Sequence, residues 1–495
     1  MNLLRSLVLS RLAWPLSVLL LPVLLVSLTP ATLAQAPSPA TDSRARELEI
    51  QALRAELARI SARLDALERT PNTAAIPAAV PPASVPAAAV VPPPPPTVPS
   101  PAAPSLTSST ESPAPIANTS REVPDFLHGT TLSFGLDGYY AYNFNQPVGR
   151  VNLLRAYDVS SNAFSINQAS VVVERLPQPS SRVGGRIDLQ FGQATEALQG
   201  SSANEQRPQV WRNLFQAYGS WLAPIGPSGL RLDFGKFASA LGDEGNYTKD
   251  QINYSRGFLF NDLPFYHTGL RASYDLSPKA NLTYWLVNGA QQTEDFNGFK
   301  SQAFITTLKP AASLTWNLNY YFGQEQRDVT STLNPGLPTA PTQPGLPTTN
   351  ISPAPNGREH IFDTYATWTP THRLTLVGEA DLVINRLYAQ SPEQHTANGA
   401  LTAKYTLPGA SYVGGRFEYF DDRSGLFSGT AQALKEGTLT YNRQVAPGFL
   451  LFLEYRRDFS NQPFFYTDTA GSLTQAQSTA TLGLVYWWGI KDGAW

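Results

Sequence analysis

From about Pro124 to the C-terminus the sequence alternates apolar and polar residues at period two, and its connections alternate between short and long. Leu132, Phe134, Leu136, Tyr140, Tyr142 and Phe144 fall on one face of a segment whose other face holds Ser133, Asp137, Asn143 and Asn145. Leu314, Trp316, Leu318, Tyr320 and Phe322 alternate with Thr315, Asn317, Asn319 and Tyr321. Leu374, Leu376, Ala380, Leu382 and Ile384 alternate with Thr375, Glu379, Asp381 and Asn385, and a last segment aligns Ala480, Leu482, Leu484, Tyr486 and Trp488. A soluble sandwich alternates too, so the connections decide. Short turns are read at 176–182, 222–229, 276–280, 308–313, 368–373, 407–411 and 445–449. Long polar loops lie near 146–162, 193–209, 239–267, 290–300, 324–358, 387–398, 422–433 and 459–475. Seven short turns alternating with eight long loops make sixteen strands and put both ends on the short-turn side. A sandwich has no reason to sort its loops by length, whereas a barrel in an outer membrane has short turns on one rim and long loops on the other. Residues 124–495 are therefore expected to form an all-β, transmembrane antiparallel β-barrel of about sixteen strands.

The N-terminal quarter has a different texture. Arg5 and Arg11 precede an almost wholly apolar run, Leu12 to Leu28, and small residues follow to Ala34, which marks residues 1–34 as an export signal. The other reading is an uncleaved anchor, but Pro15 and Pro22 interrupt the run. Residues 43–70 carry a heptad: Ile50, Leu57 and Leu64 at one core position, Leu53, Ile60 and Leu67 at the other. A lone helix would leave that seam wet, so an α-helical coiled coil is expected, and mixed Ile and Leu at both positions suits a homotrimer at least as well as a dimer. Packing of the helix on its own barrel is the alternative. Residues 71–118, with five consecutive prolines at 92–96, form no core and read as a stiff or disordered linker. Signal, coiled coil and linker place the N-terminal region in the periplasm and the barrel in outer-membrane lipid.

Charge and composition narrow the function. The net charge is −2, with 36 basic and 38 acidic residues, which offers nothing to nucleic acid. The chain has no cysteine, so disulfides and thiolate metal sites are excluded. Beyond the export signal no stretch reaches 18 apolar residues, and lipid accepts a spanning sheet only when it closes on itself.

Several motifs of the alternating region are specific enough to compare. Asp137 to Asn145 (DGYYAYNFN), Phe164 to Asn167 (FSIN), Arg186 to Gly192 (RIDLQFG), Leu232 to Phe237 (LDFGKF), Gly242 to Glu244 and Asn253 to Arg256 resemble the opening half of the OmpL-like β-barrel porins of Gram-negative bacteria. The resemblance covers roughly 130–495. It implies an outer-membrane pore. It also implies that the C-terminal aromatic, here Trp495, is read by the barrel-assembly machinery during insertion.

Charged residues recur on the polar face. Arg186 with Asp188, Arg231 with Asp233, Arg416 with Glu418, and Glu454 with Arg456 are each two apart, hence on one side of a strand. Arg271 and Asp275 are four apart, and Glu379 with Asp381 is wholly acidic. Arg or Lys facing lipid would cost about 2–4 kcal/mol near the midplane, so this face is expected to line water. Each such charge is equally readable as one half of a self-neutralising wall pair. The third long loop, carrying Asp243, Glu244, Lys249, Asp250 and Arg256, is the candidate constriction by analogy with general porins, and a surface loop is the alternative.

No cofactor or metal is expected. His128, His267, His360, His372 and His395 show no metal-ligand spacing, and neither a Gly-x-Ser-x-Gly elbow nor a phosphate-binding glycine loop occurs. The expected function is passive diffusion of small hydrophilic solutes or ions, with a weak cation preference, since the assigned wall charges are five basic against seven acidic. An envelope tether, in which the barrel merely anchors the coiled coil, is the alternative.

Overall fold

The computed structural model describes residues 128–199, 205, 207–295, 297–327, 329–330, 350–351, 357–387, 389–490 and 493–495. The expected export signal, coiled coil and linker all lie outside the described residues.

Sixteen long strands of the described residues close into one antiparallel ring. The first nine are β1 (Thr130–Asn143), β2 (Ala163–Arg175), β3 (Val183–Phe191), β4 (Leu214–Ala223), β5 (Leu230–Ala238), β6 (Tyr266–Ser277), β7 (Ala280–Val287), β8 (Ser301–Ala311) and β9 (Leu314–Gly323). After a two-strand hairpin, β10 (Val329–Thr330) with β11 (Asn350–Ile351), the ring continues. It runs through β12 (Glu359–Thr371), β13 (Leu374–Asn385), β14 (Gln394–Leu407), β15 (Ser411–Asp422), β16 (Gln432–Ala446) and β17 (Phe449–Ser460). A second hairpin, β18 (Phe465–Tyr466) with β19 (Leu473–Thr474), precedes the closing strand β20 (Ala476–Gly489). Closure is direct: β20 pairs with β1 from Ser133 opposite Gly489 to Asn143 opposite Thr479. Each of the seven turns read from the sequence joins two neighbouring ring strands, and the strand ends that flank the eight loops lie at the opposite rim. The two small hairpins were not foreseen. They sit inside loops, where two-residue strands carry no readable alternation.

The barrel is inverted relative to a water-soluble protein. Its outward side chains are apolar and open: Leu401 is 69% exposed, Leu439 60% and Leu453 47%. Its inward side chains are enclosed and mixed: Ser133, Asp137, Asp188, Asp381, Glu436, Arg456 and Asp458 are buried there, beside apolar clusters that include Phe237, Trp285, Ile361 and Val383. Aromatics on the outward face gather near both rims. Trp368, Tyr405, Tyr486 and Trp488 stand toward the short turns, and Phe144, Phe362, Tyr419 and Tyr455 toward the loops, all exposed. Rings at these levels suit the two lipid–water interfaces, where an amphipathic ring meets both phases. Neighbouring strands lock some of them together: Phe134 stacks on Trp488 at 5.6 Å, and Phe449 on Tyr486 at 4.3 Å.

Trp495 does not continue the closing strand. Strand β20 stops at Gly489, and Trp495 lies by inward-facing Gly135 of β1, where a Cβ on the glycine would come within 3.1 Å of the indole. The outward aromatics nearest the C-terminus are Tyr486 and Trp488, since Gly489 at φ 140° ends the pleat before Trp495 is reached.

The apolar band makes a depth-dependent prediction. Leu439 sits at the middle of β16 and Val445 near its short-turn end. Leu439→Arg is expected to cost about 2–4 kcal/mol and Val445→Arg about 0–1 kcal/mol. Equilibrium urea unfolding of the barrel folded into vesicles measures both, and equal costs would contradict this placement of the band.

Candidate functional site

The interior is built by the wall and by one segment that enters it. Residues 239–265, between β5 and β6, fold into the barrel and bond to its inward face. Their backbone supplies most of the donors. Gly242 N–H donates to Asp363 Oδ2 at 2.9 Å and Asp243 N–H to Glu379 Oε1 at 3.3 Å. Tyr254 and Ser255 N–H donate to the two oxygens of Glu454 at 2.7 and 3.0 Å. Phe258 N–H donates to Glu418 Oε2 at 2.6 Å. Apart from a 3-10 turn at Thr248–Asp250 and a short helix at Phe258–Asp262, the segment has no regular structure, so it leaves backbone donors unsatisfied, and wall carboxylates accept them with charge-assisted bonds.

Side chains complete the seat. Tyr254 and Thr248 hydroxyls donate to Asp137 at 2.7 and 2.6 Å, and Tyr247 hydroxyl donates to Asp188. Asp262 accepts Thr396 Oγ1 at 2.6 Å and Asn398 Nδ2 at 3.1 Å. Close packing needs glycine on both partners. A Cβ at Gly483 of β20 would lie 2.3 Å from the Tyr254 ring, and one at Gly257 would lie 1.8 Å from Glu418 Oε1. Within the segment, burial pushes the Asp243 carboxyl up to about 7, with Glu244 and Asp363 adding repulsion. Burial likewise pushes Asp262 up to about 7.

The positions singled out from the sequence are distributed as follows. Arg186 meets Asp188 at 3.0 Å, and Arg231 meets Asp233 at 3.0 Å, as spacing suggested. Arg271 reaches across to Asp233 at 2.8 Å instead of along its own strand to Asp275, because directly paired neighbours are nearer than a residue four positions away. Asp275 is exposed near its short turn and accepts Asn281 Nδ2 at 2.8 Å. Arg416 is 3.9 Å from Glu418 but 2.8 Å from Glu436, and also bonds Glu244. Glu454 and Arg456 form no ion pair. Glu454 holds the inserted segment, while Arg456 pairs with Asp458 at 2.7 Å and Glu436 at 3.0 Å. Glu379 and Asp381 are joined by Asp363 of the neighbouring strand.

Of the candidate constriction residues, Asp243 and Glu244 lie against the wall. Lys249 donates to Asp250 at 2.8 Å and to Gly493 O at 2.7 Å, and Asp250 accepts Trp495 N–H at 3.0 Å. Arg256 is wholly buried. It donates to the carbonyls of Gly245 at 2.9 Å and Tyr254 at 2.8 Å and stacks 4.3 Å from the Tyr157 ring. It braces the segment from within, so no passing solute touches it. Sequence reasoning missed Asp137, Asp363, Glu436, Asp458 and Arg155. The last pairs with Asp158 and Asp458, both at 2.8 Å. These partners come from different strands or from the first loop. Asp363 and Asp137 carried a usable signal as lone acids on the polar face of an alternating run, and Asp458 carried one as the acid two residues past Arg456.

The family profile described as "Putative beta-barrel porin-2, OmpL-like" matches residues 129–487. The chain belongs to that family. Its members are outer-membrane β-barrels of the porin type, and family and fold together point to an outer-membrane channel. Among curated proteins none matches the chain significantly. Among solved structures, the DcaP channel of Acinetobacter baumannii is 12% identical with a TM-score of 0.46, covering 72% of this chain and 97% of that one. OprB of Pseudomonas putida is 13% identical at 0.45, covering 73% and 94%. An anion-selective porin of Comamonas acidovorans is 10% identical at 0.44, covering 72% and 99%. Likenesses at this level add nothing to the strand pairing described above.

If Glu454 and the Gly483 recess hold the segment, Glu454→Gln and Gly483→Val are expected to release it. Charge-assisted bonds contribute about 1.5–3 kcal/mol each. Limited trypsin digestion of the folded barrel reads the release as cleavage after Lys249 or Arg256, which the parent protein resists. Resistance in both variants would mean that other contacts hold the segment.

Proposed function

We propose that the chain is a porin that lets small hydrophilic solutes and ions diffuse passively across the outer membrane. One observation carries this reading: the inward face of a closed sixteen-strand ring carries many charged and polar side chains, set between apolar clusters, while its outward face is apolar. A ring of that size encloses more than its own side chains fill, and fixed charge facing water is what a solute path uses. On this reading residues 239–265 form the constriction. The wall pairs contribute little net field, because Arg186, Arg231, Arg271, Arg416 and Arg456 each bond a carboxylate. The unbalanced acids are Asp363, Glu379 and Asp381, which give a weak cation preference. The protein works as a homotrimer with the helices of residues 43–70 joined on the periplasmic side, and the barrel-assembly machinery inserts it.

The heptad and proline spacer favour a second reading, a tether between the membrane and a periplasmic partner, with the barrel as anchor. The two differ in conductance. The full-length protein in planar bilayers is expected to open in discrete steps. A barrel that never conducts, together with outer-membrane detachment on deletion of 43–118, would favour the tether.

Selectivity gives a second prediction. Replacing Glu379 by Gln and Asp381 by Asn should move the reversal potential in a salt gradient toward anions when a chelator keeps divalent cations away. Screening limits a fixed charge to about 8 Å at physiological salt, so the shift should be small and should grow as salt is lowered. An unchanged reversal potential with conductance intact would show that these carboxylates do not face the ion path.

A further inference from the structure

The strand register sets four oxygen-bearing side chains in one row across the wall. Asn319 of β9 faces Asp363 of β12, Asp363 faces Asp381 of β13, and Asp381 faces Asn398 of β14. Glu379 lies two residues from Asp381 on the same inward face. One oxygen from each of Asp363, Glu379 and Asp381 falls within 4.8 Å of the others. Two aspartates directly opposed on an antiparallel pair repel, and such an arrangement persists only when something offsets the charge.

For several other inward acids the offset is an arginine: Asp188 has Arg186, Asp233 has Arg231 and Arg271, and Glu436 has Arg416 and Arg456. Asp137 and Glu454 instead accept hydrogen bonds on both oxygens. No ion pair among the described residues involves Asp363, Glu379 or Asp381. Hydrogen bonds do not close the gap either. Asp363 Oδ2 accepts Gly242 N–H at 2.9 Å and Asn319 Nδ2 at 2.7 Å, and Glu379 Oε1 accepts Asp243 N–H at 3.3 Å. Asp363 Oδ1, both oxygens of Asp381, Asn319 Oδ1 and Asn398 Oδ1 remain buried without a hydrogen-bond partner. Asp381 is only 4% exposed. The row thus has several acceptors left over and lacks donors, which is the complement of a cation.

We propose that Asp363, Glu379 and Asp381 hold a calcium ion, with the amide oxygens of Asn319 or Asn398 available to complete its shell. The chemistry selects the ion. A set made only of oxygens suits hard divalent cations and gives zinc none of the nitrogen or sulfur it prefers. Calcium takes six to eight oxygens at about 2.3–2.6 Å in adaptable geometry, which carboxylates from two strands can supply. Magnesium demands a near-ideal octahedron at about 2.0–2.1 Å and keeps much of its water. Because Gly242 and Asp243 bond the same carboxylates, a bound ion would also fasten the start of the inserted segment to the β12–β13 wall. None of this depends on whether the barrel conducts.

The test uses the full-length chain, folded in detergent free of lipopolysaccharide and stripped with a calcium-selective chelator. Calorimetric titration with calcium chloride is expected to show one site per chain with a Kd at or below about 1 mM, the range of extracellular calcium modules. Magnesium chloride is expected to bind at least about tenfold more weakly. Asp381→Asn and Glu379→Gln should each weaken calcium binding at least about tenfold. Asp275→Asn, at an exposed position near a short turn, should leave it unchanged. No saturable calcium heat in the parent protein overturns the proposal, and so does binding that survives both substitutions. If Asp381→Asn does not fold, Glu379→Gln alone decides. Luminescence of terbium bound to the parent protein, displaced by calcium but not by magnesium, gives an independent reading of the same site. Terbium that calcium does not displace also overturns the proposal.

Discussion

A peptide group in hydrocarbon has no water to bond, so every spanning strand must find its hydrogen-bond partners in another strand. Everything else in this protein follows from meeting that condition by closure. Pairing β20 with β1 removes the last free edge. It also fixes two faces of opposite character, since side chains in a strand alternate and only one side of the ring touches lipid. The inward face is then free to carry groups that a soluble core excludes, and it carries many.

Those groups do not form a bare charged lining. Most inward arginines are shared between carboxylates of neighbouring strands, as Arg456 is between Asp458 and Glu436, and Arg416 between Glu436 and Glu244. Burying either partner alone would be costly, which explains why the charges come in connected sets. Several carboxylates have a second task, since Glu454 and Glu418 accept backbone N–H groups of residues 239–265. A segment made of loops and two short helical turns leaves many backbone donors unpaired inside the barrel, and the wall provides their acceptors.

This division explains what the sequence revealed. Strand number, turn positions and the facing of residues such as Leu132 and Asp137 were legible, because alternation and loop length are local properties written along the chain. Pairs two apart on one strand were half legible. Arg186 with Asp188 could be read directly, and Arg456 with Asp458 has the same spacing, but Arg416 and Arg456 also bond Glu436, whose proximity depends on cross-strand register. Glu379 and Asp381 looked like an isolated acidic pair. Their third member, Asp363, lies in a different strand, and nothing in the spacing announces that it faces Asp381. Arg256 was read as a candidate constriction charge and is wholly buried, since its partners are carbonyls of its own segment. Local patterns gave the scaffold, and the interior chemistry is a product of register.

The seat of Trp495 carries a consequence for the order of events in folding. Its walls come from the first strand at Gly135 and from Tyr247 and Asp250 of the inserted segment. Lys249 stands 4.8 Å from its ring. None of these surfaces is contributed by the strand that precedes the indole. The seat therefore exists only once the two ends of the ring have met and the segment has entered. Trp495 thus links ring closure to segment entry, because its contacts need both to be in place.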